Sequence, residues 1–205
     1  EVFRQQLQLD VNAPTLAVLP GSRRSEISRT LPILIDACER IQIDLPNLQV
    51  LIPIAPGIDR SALAAAFAQS TVKPVFIDGR APEVVGACDV AIVTSGTATL
   101  EAGLMQRPLV AVYKLHPLSY WLGRLLVRIP FFSLVNIVGE KEIIPELLQG
   151  NFTPERVRSE VNRLWAGPAR DACLLGLSEV RRKMGERGAS ARAAQEIATF
   201  LKTAG

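Results

Sequence analysis

Two segments rich in small and hydroxylated residues carry the chemistry that stands out. In Ser95-Gly96-Thr97-Ala98-Thr99-Leu100-Glu101 an apolar run ends at Thr94, small residues turn the chain, and a helix begins. A helix start presents unpaired backbone N–H groups and the positive end of its dipole, which suits an anion such as phosphate. Small side chains at 95–99 let a phosphate approach the backbone, and the hydroxyls of Ser95, Thr97 and Thr99 can add hydrogen bonds. Glu101, about one turn into the helix, can accept from vicinal sugar hydroxyls, as acidic residues do for ribose in dinucleotide folds. An ordinary N-cap followed by a solvated glutamate explains the same residues without a ligand. The pattern alone leaves both readings open.

Pro20-Gly21-Ser22-Arg23-Arg24-Ser25-Glu26 also follows an apolar run. Gly21 permits a tight turn, while Arg23 and Arg24 supply guanidinium forks suited to phosphate oxygens. The segment is neither a P-loop nor the GxGxxG fingerprint, which disfavours ATP-type chemistry and standard dinucleotide binding. At Ile77-Asp78-Gly79-Arg80, Gly79 can expose backbone groups to a base edge and Arg80 can meet phosphate; a plain turn is the simpler account. Asn136, Glu140, Glu142, Glu146 and Gln149 surround the apolar Ile143–Pro145, and spacing does not say whether they converge. Lys114, Arg124 and Arg128 stand among Trp121, Leu122, Leu125, Leu126, Phe131 and Phe132. Such a basic amphipathic stretch can lie in a membrane interface, and a helix half buried on a sheet shows the same pattern.

The elements that would position these segments follow from the hydrophobic pattern. Thr15–Pro20, Leu48–Ile54, Lys73–Asp78, Asp89–Thr94 and Pro108–Tyr113 are short apolar runs that read as buried strands. Helical patterns fall between them: Ile27–Ile41, with Pro32 in a first turn or marking a late start, then Arg60–Gln69, Glu83–Cys88 and Thr97–Gln106. Strands apolar throughout and separated by helices imply parallel pairing with both faces covered, a doubly wound α/β sheet. Its ligand site is expected where the loops leave the carboxyl ends of the strands, here Pro20–Glu26, Ile77–Ala81 and Thr94–Glu101. Beyond residue 113 a helical Leu115–Ile129 and an irregular Pro130–Gln149 with a short strand around Phe131–Val135 are expected. Helices follow over Thr153–Trp165, Ala169–Arg187 and Ala189–Lys202, the first capped by Thr153 with Pro154 behind it.

Composition bounds these readings. The chain has 205 residues, 48% of them hydrophobic and 21% charged, enough for a packed core and too apolar for a disordered chain. A formal charge of +3 is far from a nucleic-acid-binding profile. Cys38, Cys88 and Cys173 stand far apart, which argues against a zinc site and fits a reducing cytoplasm. The single histidine, His116, excludes any mechanism that needs two imidazoles. No uninterrupted apolar run reaches the roughly 18 residues of a membrane span. The chain opens with Glu1 and a helical tail over Val2–Leu9, with no signal peptide, and is read as a piece of a longer polypeptide.

LPGSRRSE at 19–26, VTSGTATLE at 93–101, RPLVAVYK at 107–114 and SLVNIVGEKEIIPELLQ at 133–149, with Pro117, Trp121 and Asn136, resemble the C-terminal half of lipid-A-disaccharide synthase in order and spacing. The resemblance covers roughly Ala13 to Leu201. It implies the Rossmann-like, nucleotide-sugar-binding half of a GT-B fold over 15–205, helical from 153 to 203, with 1–14 as linker from a missing N-terminal half. It implies transfer of 2,3-diacylglucosamine from UDP to 2,3-diacylglucosamine 1-phosphate, giving a β-1,6 disaccharide and UDP, with no metal or other cofactor. Carried over by position, Ser95, Gly96, Thr97 and Thr99 would face the diphosphate with Gly21, Ser22 and Arg23 assisting. Glu101 would bind ribose and Asp78, Gly79 and Arg80 would border uracil. Asn136, Glu142, Glu146 and Gln149 would lie near the donor sugar or the interdomain cleft. Trp121, Arg124 and Arg128 would face a membrane, peripherally on the inner face of the inner membrane in the cytoplasm. The implied partners are the UDP-linked donor, the lipid acceptor and the membrane surface; a homodimer stays open and nucleic acid is not expected. The catalytic base would belong to the missing half, leaving this fragment able to bind donor and unable to turn over.

Two rivals remain at this point. A UDP-N-acetylglucosamine 2-epimerase or another GT-B transferase shares the phosphate-binding helix and its glutamate, though with a longer glycine-rich or acidic signature around 95–101. A binding module without catalysis is the other, since fold does not fix function.

Overall fold

The computed structural model describes residues 2–115 and 130–185, together with 194, 195, 197 and 200. The apolar runs become strands Thr15–Leu19 (β1), Gln49–Ile54 (β2), Val75–Asp78 (β3), Val90–Thr94 (β4) and Leu109–Tyr113 (β5). Glu146–Leu148 adds a short strand β6, and the sheet order is β3-β2-β1-β4-β5-β6 with every pair parallel. Every residue of β1 and of β4 is buried, as central parallel strands covered on both faces require. Chain order reverses between β1 and β4, which lie side by side with Leu16 opposite Val90 and Leu19 opposite Val93. That reversal is the topological switch point, where strand-end loops diverge and open a crevice.

Helices Val2–Gln6 (α1), Arg24–Asp44 (α2), Arg60–Ala66 (α3), Ala81–Ala87 (α4) and Thr97–Leu104 (α5) flank the first strands. In α2 the residues Ile27, Leu31, Leu34, Cys38 and Ile41 form one buried stripe at helical spacing. Pro32 lies inside α2, not in its first turn. It is tolerated because Pro32 and Ser28, whose carbonyl loses its i+4 donor, both lie on the exposed side. Where a strand is expected around Phe131–Val135, the chain instead forms helix Leu134–Gly139 (α6). Ser133 decides this by capping it, its hydroxyl accepting from the Asn136 amide at 3.2 Å. Pro154–Trp165 (α7) starts at Thr153, whose side chain caps the Arg156 amide, with Pro154 in the first turn. Pro168–Met184 (α8) completes the main helices, and residues 194, 195, 197 and 200 are helical.

One continuous core joins strands and helices. Helix α5, which follows β4, packs closely on α6 and α8 through Gly103. A Cβ there would lie 2.8 Å from Val135 Cγ2 and 3.2 Å from Leu177 Cδ2. Asp44 at the end of α2 holds α7 by accepting from Arg158 Nε and Asn162 Nδ2, each at 2.6 Å.

Candidate functional site

Outside the carboxyl ends of β1 and β4 lies a cleft of about 480 Å³. Residues 21–23 and Glu26 form one wall, 94–98 another, and 53–56 with 79–81 close the remainder. The three loops singled out by sequence thus meet in one place, each at the end of its strand. Gly21 turns the chain at φ +117°, and a Cβ there would press on Glu26, 3.1 Å from its Oε2. Gly96 is different: at φ +155° it lies open, with nothing within 4 Å of a built Cβ. Its bare backbone is therefore approachable.

The start of α5 has the electrostatics of an anion seat. The backbone amides of Gly96, Thr97 and Ala98 find no acceptor among the described residues, while the Ser95 amide is spent on Val112 O at 2.8 Å. No side chain caps α5 and its first turn has no acidic residue. Among the described residues its dipole end is consequently without a capping side chain or first-turn acid. Helix α2 points its own start into the same cleft and contrasts with α5. Glu26 stands in its first turn, with Oε1 2.9 Å from Arg23 Nη1. The Arg23 side chain is 75% exposed, that of Glu26 only 16%.

Among the residues named from the sequence, Gly21, Ser22, Arg23, Gly79, Arg80, Ser95, Gly96 and Thr97 line the cleft. Arg80 adopts a left-handed φ of +54°; its guanidinium lies 4.6 Å from the Phe3 ring centroid and also meets Glu83 Oε1 at 3.3 Å. Glu101 is exposed and lines a small crevice beside the cleft, whose residues Leu19, Ala81 and Ala98 border both. Thr99 does not reach the cleft: it is fully buried, its hydroxyl donating to Gly96 O at 2.7 Å. Asp78 is turned outward into an ion pair with Arg60, 2.8 Å apart.

The polar set after residue 130 divides. Asn136 is fully buried and all its hydrogen-bonding capacity is used internally. Its Oδ1 accepts from the Ile143 and Ile144 amides at 2.8 and 3.0 Å, and Nδ2 donates to Ile144 O and Glu146 Oε1, both at 2.9 Å. Glu146 also accepts from the Phe132 and Ser133 amides at 2.9 Å each. The Ser95 hydroxyl donates to Phe132 O at 3.4 Å, so this network reaches the cleft wall indirectly. Glu142 instead lines a separate cavity of about 530 Å³ between the 141–145 segment and α8. Gln149, at φ +51°, donates to Leu115 O at 3.5 Å, away from the cleft. Trp121, Arg124, Arg128 and His116 lie outside the described residues.

Two polar residues of the cleft are not among the site candidates that the sequence offers. Glu26 sits in the quoted 20–26 segment, three positions after Arg23, and that spacing was the available signal. Thr94 lines the cleft at the end of β4, 4% exposed, and its buried hydroxyl has no partner among the described residues. A single polar residue closing an apolar strand was its only sign. Among the described residues no group of three or more His, Cys, Asp or Glu could hold a metal ion.

A parallel 3-2-1-4-5-6 sheet with a cleft at its switch point is Rossmann-like, and solved GT-B glycosyltransferases share this fold. CalG4, the calicheamicin glycosyltransferase, superposes with a TM-score of 0.64 at 21% identity, covering 95% of this chain and 45% of that one. Anabaena HepE, solved in complex with UDP-glucose, does so with 0.57 at 18% identity, covering 98% and 52%. At these identities the likeness concerns the fold. The family model described as lipid-A-disaccharide synthetase matches residues 1–193. The lipid-A-disaccharide synthase of Myxococcus xanthus (strain DK1622) is 51% identical over 97% of this chain and 52% of its own length. The chain belongs to the lipid-A-disaccharide synthase family and spans about half the length of the curated relatives it matches.

Proposed function

We propose that this chain is the donor-binding half of a lipid-A-disaccharide synthase and takes UDP-2,3-diacylglucosamine in the cleft at the β1–β4 switch point. The diphosphate lies against the free amides of Gly96, Thr97 and Ala98, with Ser95 and Arg23 beside it. Glu101 receives the ribose hydroxyls from the adjoining crevice, and the 77–80 turn borders uracil. The hexose passes to the 6-hydroxyl of 2,3-diacylglucosamine 1-phosphate, forming the β-1,6 bond and releasing UDP, with acceptor and general base held by the other half of the enzyme. As the glycosidic bond breaks, negative charge grows on the departing diphosphate. The oriented helix start stabilises that charge without reorganising, and Arg23 adds its cation as it turns from Glu26. One observation carries the reading: amides with no acceptor among the described residues and an exposed arginine converge where a doubly wound sheet binds its ligand.

Both substrates carry acyl chains, so the same reading makes the protein peripheral on the inner face of the inner membrane, with Trp121, Arg124 and Arg128 as candidate contacts. No helix among the described residues is long and apolar enough to cross a membrane. Calorimetric titration with UDP tests the nucleotide site. Saturable binding is expected, weakened about tenfold by Arg23→Ala through loss of a charge-assisted hydrogen bond and also by Glu101→Ala. Absence of UDP binding by the parent chain refutes the reading. With the full-length enzyme, a sugar-labelled donor gives a disaccharide; an isomerised nucleotide sugar with no disaccharide marks an epimerase instead.

A further inference from the structure

Three helix starts border the cleft, those of α2, α4 and α5, and only α5 has no acid in its first turn. Helix α5 has neither a side-chain cap nor a first-turn acid, whereas Glu26 stands in the first turn of α2. A first-turn glutamate stabilises a helix through its dipole wherever it points. That role does not require its side chain to be 84% withdrawn from solvent, nor to lie against Gly21 in the cleft wall. Glu26 also holds Arg23, the more exposed of the two arginines that line the cleft, at 2.9 Å. A diphosphate entering the cleft therefore meets a carboxylate that repels it and already occupies its arginine.

Building on the donor-site reading, we infer that Glu26 is a positioning residue that competes with the diphosphate for Arg23 and so loosens the hold on UDP after transfer. Without it, Arg23 turns wholly to the phosphate and the cleft gains one positive charge. The effect belongs to the anionic part of the ligand and not to the nucleoside. It also runs opposite to the loss of binding that damage to the 20–26 turn would cause.

The test is calorimetry on the full chain with UDP, inorganic pyrophosphate and uridine, comparing the parent with Glu26→Gln, Arg23→Ala and the double variant. Glu26→Gln is expected to tighten UDP and pyrophosphate about threefold to tenfold, the scale of one unit charge removed from beside a multivalent anion in a hydrated cleft. Uridine is expected to change less than about twofold, and the anion gain to shrink when Arg23 is already Ala. Weaker UDP binding by Glu26→Gln, or a change in uridine as large as that in UDP, overturns the inference. Should Gln unfold the helix start, Glu26→Asp keeps a first-turn carboxylate but withdraws it from Arg23; it too must tighten UDP, and weaker binding counts against the inference. A parent that binds pyrophosphate and not UDP refutes the nucleotide reading while leaving the competition measurable. If no variant binds either anion, both fall.

Discussion

Replacing Asn136 by Asp changes a single atom in a fully buried side chain and separates a structural role from a ligand-binding one. Oδ1 would keep the amides of Ile143 and Ile144 at 2.8 and 3.0 Å. The former Nδ2 position would hold an oxygen 2.9 Å from Ile144 O and from Glu146 Oε1, so two donations become two contacts between acceptors. Each buried group left unsatisfied costs about 1–3 kcal/mol, and a charged one more. Asn136→Asp should therefore lower unfolding free energy by about 3–5 kcal/mol, a large part of what a domain has. Urea denaturation followed by circular dichroism reads this as a lower midpoint at unchanged slope. The UDP affinity of the folded fraction should stay within about threefold of the parent, because Asn136 reaches Ser95 only through Glu146 and Phe132. A stability loss below about 1 kcal/mol refutes the reasoning. So does a UDP loss far larger than the unfolding explains, which would put Asn136 against the ligand.

Thr94→Val removes a buried hydroxyl with no partner among the described residues and should raise stability by about 1–2 kcal/mol, seen as a melting temperature a few degrees higher. Gly103→Ala drives a methyl against Val135 and Leu177, and overpacking of about 1–3 kcal/mol outweighs the helix preference of Ala, about 1 kcal/mol; thermal melting should show a net loss. Asp44 is held down to about 2 from its ordinary 3.8, first by its hydrogen bond from Arg158 and then by that from Asn162. Since its folded pKa is depressed, its stabilisation is complete above the unfolded value and disappears as pH falls from about 4 to about 2. Urea midpoints across that range should fall less steeply in Asp44→Asn than in the parent.

The sheet was legible because its central strands are apolar on both faces and the turns between them carry glycine and proline. β1 and β4 differ from the sequence reading by a residue at one end. The three loops at the carboxyl edge were legible for the same reason, since a parallel sheet sends every such loop to one side. Strand β6 has only three residues and pairs at the sheet edge, so it shows no period of its own. Neither Asn136 nor Glu146 announces in sequence that they bond each other ten positions apart, because that pairing is made by the fold of α6 against β6. Glu142, on the same segment, lines a different cavity. Pro32 misled about the start of α2 because its cost depends on which side of the helix it occupies, and tertiary packing decides that.

Phe3 lies under the guanidinium of Arg80 while Arg80 forms part of the cleft rim. The first helix is thereby tied through one cation–π contact to the carboxyl edge of the sheet. On the donor-site reading proposed above, a change at Phe3 would shift the cation beside the ligand, and an occupied rim would act back on the first helix.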